Sequence, residues 1–348
     1  MFNKLIGNNH IKETLRRMLA ADRVPHSLLF AGAEGVGKKQ FALELAKSFV
    51  CQNPNSFEAC DICAACKRAD KFTFPKSDDK DAHKEVIFSE HADIGLVIPH
   101  GKNILVDTVR DLEREANFRP FEAKARFLLI DEAEKLNTAK DNAANALLKT
   151  LEEPPPTSYI FLITSRPDAL LPTILSRCQT IRFAPIPPKE IENYLLETKK
   201  ISPDDAEILA KLSAGSIRHA LSLDLDGFRE RRDVMLKVLE SLLVKQDRAT
   251  LLRTAEEMND AKNKDSYNAS LEILENLIHD VWKLTLGESE ENIVNADIKN
   301  NLKKLAEKAE SKRLAAWLTE IETMRKNFNV NLNKKIATDA LFIQMANP

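Results

Sequence analysis

Two segments of this chain combine residue types and spacing that could do chemistry. They are Gly32-Ala33-Glu34-Gly35-Val36-Gly37-Lys38 and the four thiols of Cys51, Cys60, Cys63 and Cys66. The first has the pattern Gly-x-x-x-x-Gly-Lys. Its glycines let backbone amides turn toward a polyphosphate, the helix start that follows adds positive potential, and the lysine reaches the outer phosphates. The next residue is ordinarily Ser or Thr, whose hydroxyl ligates magnesium, but here it is Lys39. An ammonium group cannot ligate a cation and repels one. The amides and Lys38 could still hold ATP, so Gly32, Gly35, Gly37, Lys38 and Lys39 are candidate nucleotide-binding residues, with magnesium and efficient hydrolysis in doubt.

A second element fits the same chemistry. Phe127-Leu128-Leu129-Ile130 is an apolar run ending in Asp131-Glu132, where an aspartate is placed for a metal and a glutamate for polarising water. An acidic pair after a strand often does no more than cap the next helix; it gains weight here from the phosphate loop upstream.

The cysteines have the spacing Cys51-x8-Cys60-x2-Cys63-x2-Cys66. Two-residue spacers let neighbouring sulfurs face one ion, and four thiolates satisfy tetrahedral zinc. A ferredoxin-type cluster would need a further cysteine three residues on and then proline, whereas Lys67 and Arg68 follow. The spacing therefore points to structural zinc, with no position open for catalysis. Cys178, with no second ligand or base adjacent, reads as packing.

The elements that position these residues can be read from periodicity. Ser27 to Ala31, Arg126 to Ile130 and Tyr159 to Ile163 are short apolar runs suited to buried parallel strands. Lys38 to Val50 carries Phe41, Ala42, Leu45, Ala46 and Phe49 at helical spacing. Asn137 could cap a helix with the apolar face Ala143, Ala144, Leu147, Leu148 and Leu151, which Pro154-Pro155-Pro156 stops. Strand–helix alternation predicts an α/β domain, a parallel sheet with helices on both faces. The polar stretch from Lys67 to Lys84, with Ser77-Asp78-Asp79-Lys80-Asp81, reads as a solvated loop.

After Pro203 no proline occurs until Pro348. Leu271, Leu274, Ile278, Val281 and Trp282 share one helical face, and Leu332, Ile336, Ala340 and Ile343 another, which predicts an all-α second half. Pro185-Ile186-Pro187-Pro188 marks the end of the α/β domain, and a weaker break falls near Gly227.

In 348 residues, 51 Lys and Arg face 53 Asp and Glu, a formal net charge of −2. That balance argues against a dedicated nucleic-acid module without excluding DNA contact shared among subunits. No apolar run is long enough to span a membrane. The first residues show no apolar signal region, and the thiols suit a reducing compartment, so a cytoplasmic protein is expected.

Asp131-Glu132-Ala133-Glu134-Lys135-Leu136, then Ala144-Asn145-Ala146-Leu147-Leu148-Lys149-Thr150-Leu151-Glu152-Glu153-Pro154-Pro155, then Leu171-Pro172-Thr173-Ile174-Leu175-Ser176-Arg177-Cys178-Gln179, closely resemble the bacterial clamp-loader family, the AAA+ subunits of DNA polymerase III. The resemblance covers Leu5 to about Leu223, and its four-cysteine insertion and Ser-Arg-Cys segment set it apart from AAA+ modules of repair or remodelling. Within the family the chain is most like the delta-prime type, with an active gamma/tau-type ATPase motor as the alternative.

The resemblance implies further roles. Thr164 falls at the sensor-1 position that reads the γ-phosphate, and Arg218, in Gly215-Ser216-Ile217-Arg218, at sensor 2. Arg177 would be an arginine finger pointing into a neighbour's ATP site, where a fixed guanidinium stabilises charge on the transferred phosphoryl group. The implied layout is an AAA+ domain over 1–183, a helical lid over 184–225 and a helical collar over 226–348. The implied partners are gamma/tau- and delta-type subunits in a hetero-pentamer, a sliding clamp and primer–template DNA. The implied function is that of a stator in clamp loading with little or no ATP hydrolysis of its own. No polymerase or nuclease site is visible; any nucleotidyl transfer would belong to the holoenzyme.

Overall fold

The computed structural model of the chain describes residues 1–76, 78–136, 143–260, 266–289, 293–327 and 333–347. By its internal contacts the chain forms two compact units: Met1–Thr198 with Ser213–Leu221, and Lys199–Leu212 with Ser222–Pro348. The segment 184–225, expected as a lid, is shared between them.

The first unit is built on six strands, β1 Ser27–Ala31, β2 Ile87–Phe88, β3 Ile94–Val97, β4 Arg126–Ile130, β5 Ser158–Thr164 and β6 Gln179–Arg182. Their order across the sheet is β2-β3-β4-β5-β1-β6, all parallel except β2 against β3. Strands β1, β3 and β4 are buried at every position, which is why they read as continuous apolar runs rather than as alternating ones. Side chains still alternate between faces. Leu28, Phe30, Phe127 and Phe161 pack with Ile11 and Leu15 of α1 (Asn9–Ala20) and with Phe41 and Leu45 of α2 (Lys38–Val50). On the opposite face Leu29, Leu128, Ile130 and Leu162 pack with other helices, α4 (Val106–Ala116) and α5 (Ala143–Glu152). A short α3 (Ala64–Ala69) follows α2 and contains part of the cysteine cluster.

Parallel strands share a direction, so β1, β4 and β5 deliver their carboxyl ends to one edge of the sheet. In open α/β sheets ligands bind at that edge. The phosphate loop, Asp131 and Thr164 all lie there.

The second unit is helical throughout its described residues. Its core joins α10 (Leu225–Glu240), α11 (Arg248–Met258), α12 (Tyr267–Thr285), α13 (Lys299–Ala306), α14 (Ser311–Asn327) and α15 (Lys334–Ala346). The expected face of α12 is correct: Leu271, Leu274, Ile278 and Val281 are fully buried and Trp282 packs beside them. The expected face of α15 is not. Ile336 and Ile343 are exposed, while Thr338, Leu341, Phe342 and Met345 are buried, about half a turn away. Asn137, Ser77 and Leu332 lie outside the described residues.

Candidate functional site

β1 ends at Ala31 and α2 starts at Lys38, leaving six residues to turn the chain through the phosphate loop. Gly35 and Gly37 hold the left-handed backbone this turn needs, at φ +75° and +95°. At Gly35 a side chain is excluded twice over, since a Cβ would stand 2.0 Å from Ser216 Oγ and 3.0 Å from Arg218 Cβ. The loop is thus packed directly against the Gly215–Arg218 segment, and the Arg218 amide donates to the Gly35 carbonyl at 3.4 Å. Gly32 continues the sheet, its amide donating to the Thr164 carbonyl at 3.3 Å.

Lys38 is buried, and its ammonium donates to the carbonyls of Gly32 at 2.8 Å and Ala33 at 2.6 Å. Burial lowers its pKa, and the nearby Arg218 adds to that, against the attraction of Glu134, Asp131 and Glu34. Lys39 takes a different direction. Its Nζ forms an ion pair with Asp131 Oδ2 at 3.1 Å, both side chains less than a third exposed, and lies 5.6 Å from the centre of the Phe74 ring. The residue that replaces the magnesium-ligating hydroxyl therefore neutralises the aspartate that would share that magnesium. Glu132 has a left-handed backbone at φ +49° and pairs with Lys135 at 2.7 Å.

Thr164 is fully buried at the end of β5 and donates its hydroxyl to Glu134 Oε2 at 2.7 Å. Ser165 donates to the other oxygen of the same carboxylate at 2.8 Å, and Arg166 stands 3.8 Å from it. Burial alone would raise the Glu134 pKa; these donors and the cation outweigh it, so the carboxyl sits below its usual value. Glu134 was not singled out from sequence, because its role depends on strands adjacent in space but distant along the chain.

The structure thus gathers Gly32, Gly35, Gly37, Lys38, Lys39, Asp131, Thr164 and Arg218 around one loop. Arg177 is not among their contacts. It follows the single turn α6 (Pro172–Leu175), where its guanidinium pairs with Glu152 at the end of α5 and donates to the Thr173 carbonyl at 2.9 Å. Cys178 beside it is buried in the core; burial pushes its thiol up to about 12, which makes it packing rather than a nucleophile.

The cysteine cluster hangs from the end of α2. Cys51 caps that helix, Cys60 and Cys63 lie in the following loop, Cys63 caps α3, and Cys66 is buried within α3. All four sulfurs lie within 4.8 Å of one another, close enough to surround one metal ion. The sulfurs of Cys51, Cys60 and Cys63 each accept a backbone amide, from Cys60 at 3.2 Å and from Cys63 and Cys66 at 3.4 Å. Such donors favour the thiolate form that a metal requires.

An ion-pair cluster unmarked in the sequence binds this insertion to α2. Lys47, 3% exposed at its side chain, reaches Glu44 at 2.8 Å, Asp61 at 2.7 Å and Asp70 at 2.8 Å. The Met1 amine adds contacts to Glu44 at 2.7 Å and Asp61 at 2.8 Å.

Comparison with known proteins accords with this geometry. The profile of the family described as DNA polymerase III, delta subunit, matches residues 7–187, and that of its C-terminal part matches residues 228–346. DNA polymerase III subunit delta' of Bacillus subtilis is 30% identical over 93% of this chain and 91% of its own length. The Escherichia coli subunit delta' is 28% identical over 96% of this chain and 92% of its own. DNA polymerase III subunit tau of Bacillus subtilis is 32% identical, but over 70% of this chain and 40% of its own length. No helix among the described residues is long and apolar enough to cross a membrane. With a relative matched almost end to end and family profiles on both units, the chain belongs to the delta-prime family of DNA polymerase III subunits.

Proposed function

We propose that this chain is the stator of a clamp loader: it turns over little or no ATP itself and supplies Arg177 to the ATP site of a neighbouring subunit. The Lys39–Asp131 ion pair carries this reading, because it fills with an ammonium the place where a hydrolysing site needs a divalent ion. The Ser176-Arg177-Cys178 signature is complete, and the Arg177 side chain is held at a partly exposed position.

In this reading the partners are gamma/tau- and delta-type subunits in a cytoplasmic hetero-pentamer. Residues 226–348 form the collar that holds it, and 184–225 the lid bearing Arg218. The assembly opens a sliding clamp and places it on primer–template DNA. Cys51, Cys60, Cys63 and Cys66 hold one structural zinc, which fixes the insertion and supplies no reactive position.

A gamma/tau-like motor is the alternative, supported by the presence of Asp131, Glu132, Thr164 and Arg218. Lys39 weighs against it, because its ammonium occupies the Asp131 carboxylate. The deciding measurement is clamp- and DNA-stimulated ATPase of the assembled complex with wild type and Arg177→Ala. A large loss with assembly intact is expected, reaching about 10³-fold at the one adjoining site that receives the finger; an unchanged rate would reduce Arg177 to a structural role.

A further inference from the structure

We propose that Lys39 is a built-in replacement for the divalent cation, so that the phosphate loop of this chain takes a nucleoside triphosphate without magnesium. This rests on the reading above that the chain's own site does not turn over.

The argument begins with the charges that face the loop. Lys38, Lys39 and Arg218 are its cations, and Asp131, Glu134 and Glu34 are the carboxylates near them. Asp131 is paired with Lys39 at 3.1 Å, and Glu134 is occupied by the hydroxyls of Thr164 and Ser165. The Asp131 charge is thereby compensated inside the protein, and the Glu134 carboxylate is bound by those hydroxyls with Arg166 3.8 Å away. Lys38 is held by the carbonyls of Gly32 and Ala33, contacts that a stronger acceptor can replace.

The same arrangement disfavours the metal. A divalent ion here would need an oxygen from residue 39 and a free Asp131 carboxylate, and it meets an ammonium instead. Moving Lys39 aside would separate its ion pair and withdraw it from the Phe74 ring, 5.6 Å away, whose π-face also favours a cation. Lys39 stands in for magnesium as the cation that cancels Asp131, one positive charge where magnesium brings two, and it cannot be removed by chelation.

Isothermal titration calorimetry of the full-length chain with ATP, once in EDTA and once in excess magnesium, tests this. Wild type is expected to bind at least as tightly in EDTA as in magnesium. In EDTA, Lys39→Met should bind about tenfold more weakly, the loss of one compensating charge. Lys39→Thr should bind only when magnesium is supplied. Wild-type binding that depends on magnesium, or no ATP binding in either buffer, would overturn the proposal. The wild-type pair decides the matter even where a variant fails a thermal-melting check of its fold. Neither outcome touches Arg177, whose role is read from the ATPase of the complex.

Discussion

Thr164 and Glu134 are joined by a buried 2.7 Å hydrogen bond that ties the end of β5 to the turn following β4. The carboxylate serves Ser165 as well, so two hydroxyls at the phosphate edge depend on one buried charge. Because the folded-state pKa of Glu134 lies below its unfolded value, its contribution to stability is fully present above the unfolded carboxyl value of about 4.3. It is lost as pH falls through the lower folded value. Glu134→Gln should therefore flatten the decline of the melting temperature on acidification. At neutral pH it should cost about 1–3 kcal/mol, the usual range for disturbing a buried charged acceptor. Melting curves of both proteins from neutral pH down to acid check both effects; parallel curves would leave Glu134 without this role.

Removing the proposed zinc should act locally first. Four thiolates close together repel one another unless a cation joins them, so chelation or Cys66→Ala should release residues 51–71 from protection against hydrogen exchange. Loss of protection should extend into the last turn of α2, to which the insertion is tied. Elemental analysis should find zinc in the wild-type chain and lose it in the variant. Full protection of this segment in metal-free protein would remove the case for a metal centre.

Lys47 offers a sharper test of that tie. Burial alone would lower its pKa, but the hydrogen bonds it donates to Asp61, Asp70 and Glu44 hold it above its ordinary value. Lys47→Met keeps much of the side-chain volume and leaves Glu44 with the Met1 amine and Asp61 with the Met1 amine and Lys4 as remaining cations. Breaking a buried pair from one side costs about 3–5 kcal/mol. The lower end is expected here because Asp70 is half exposed. Denaturant unfolding measures the loss, and a cost under about 1 kcal/mol would show the cluster to be marginal.

The sequence made the central sheet partly legible. β1 and β4 were read with their observed ends, and β5 to within a residue at each end, because strands buried on both faces leave unbroken apolar runs. β6 escaped notice: at an edge of the sheet it exposes Gln179, Thr180 and Arg182, and only Ile181 is buried. β2 and β3 are two and four residues long, too short to show a period. On α15 both readings of the face contain apolar residues, and the neighbouring helices, not the sequence, select between them. The phosphate loop and the cysteines were legible because their chemistry demands fixed spacings. Glu134 and Lys47 were not, since a charged residue reads as solvated until the fold places hydroxyls or carboxylates around it.

The tether between Arg177 and Glu152 bears on how a surface arginine is made ready for a partner. A free arginine side chain carries about 2 kcal/mol of rotamer entropy, which any ordered contact must overcome. Here the guanidinium is already held by Glu152 and by the Thr173 carbonyl. Its anchor stands at the last residue of α5, just ahead of a run of prolines that stiffens the chain. Much of the ordering is thus complete in the isolated subunit. The restraint is itself a solvent-accessible ion pair, of a kind worth at most about 1 kcal/mol. A more concentrated negative charge can take the guanidinium over at little cost, so in the assembly proposed above Glu152 would act as a placeholder for the anion that a neighbouring subunit presents.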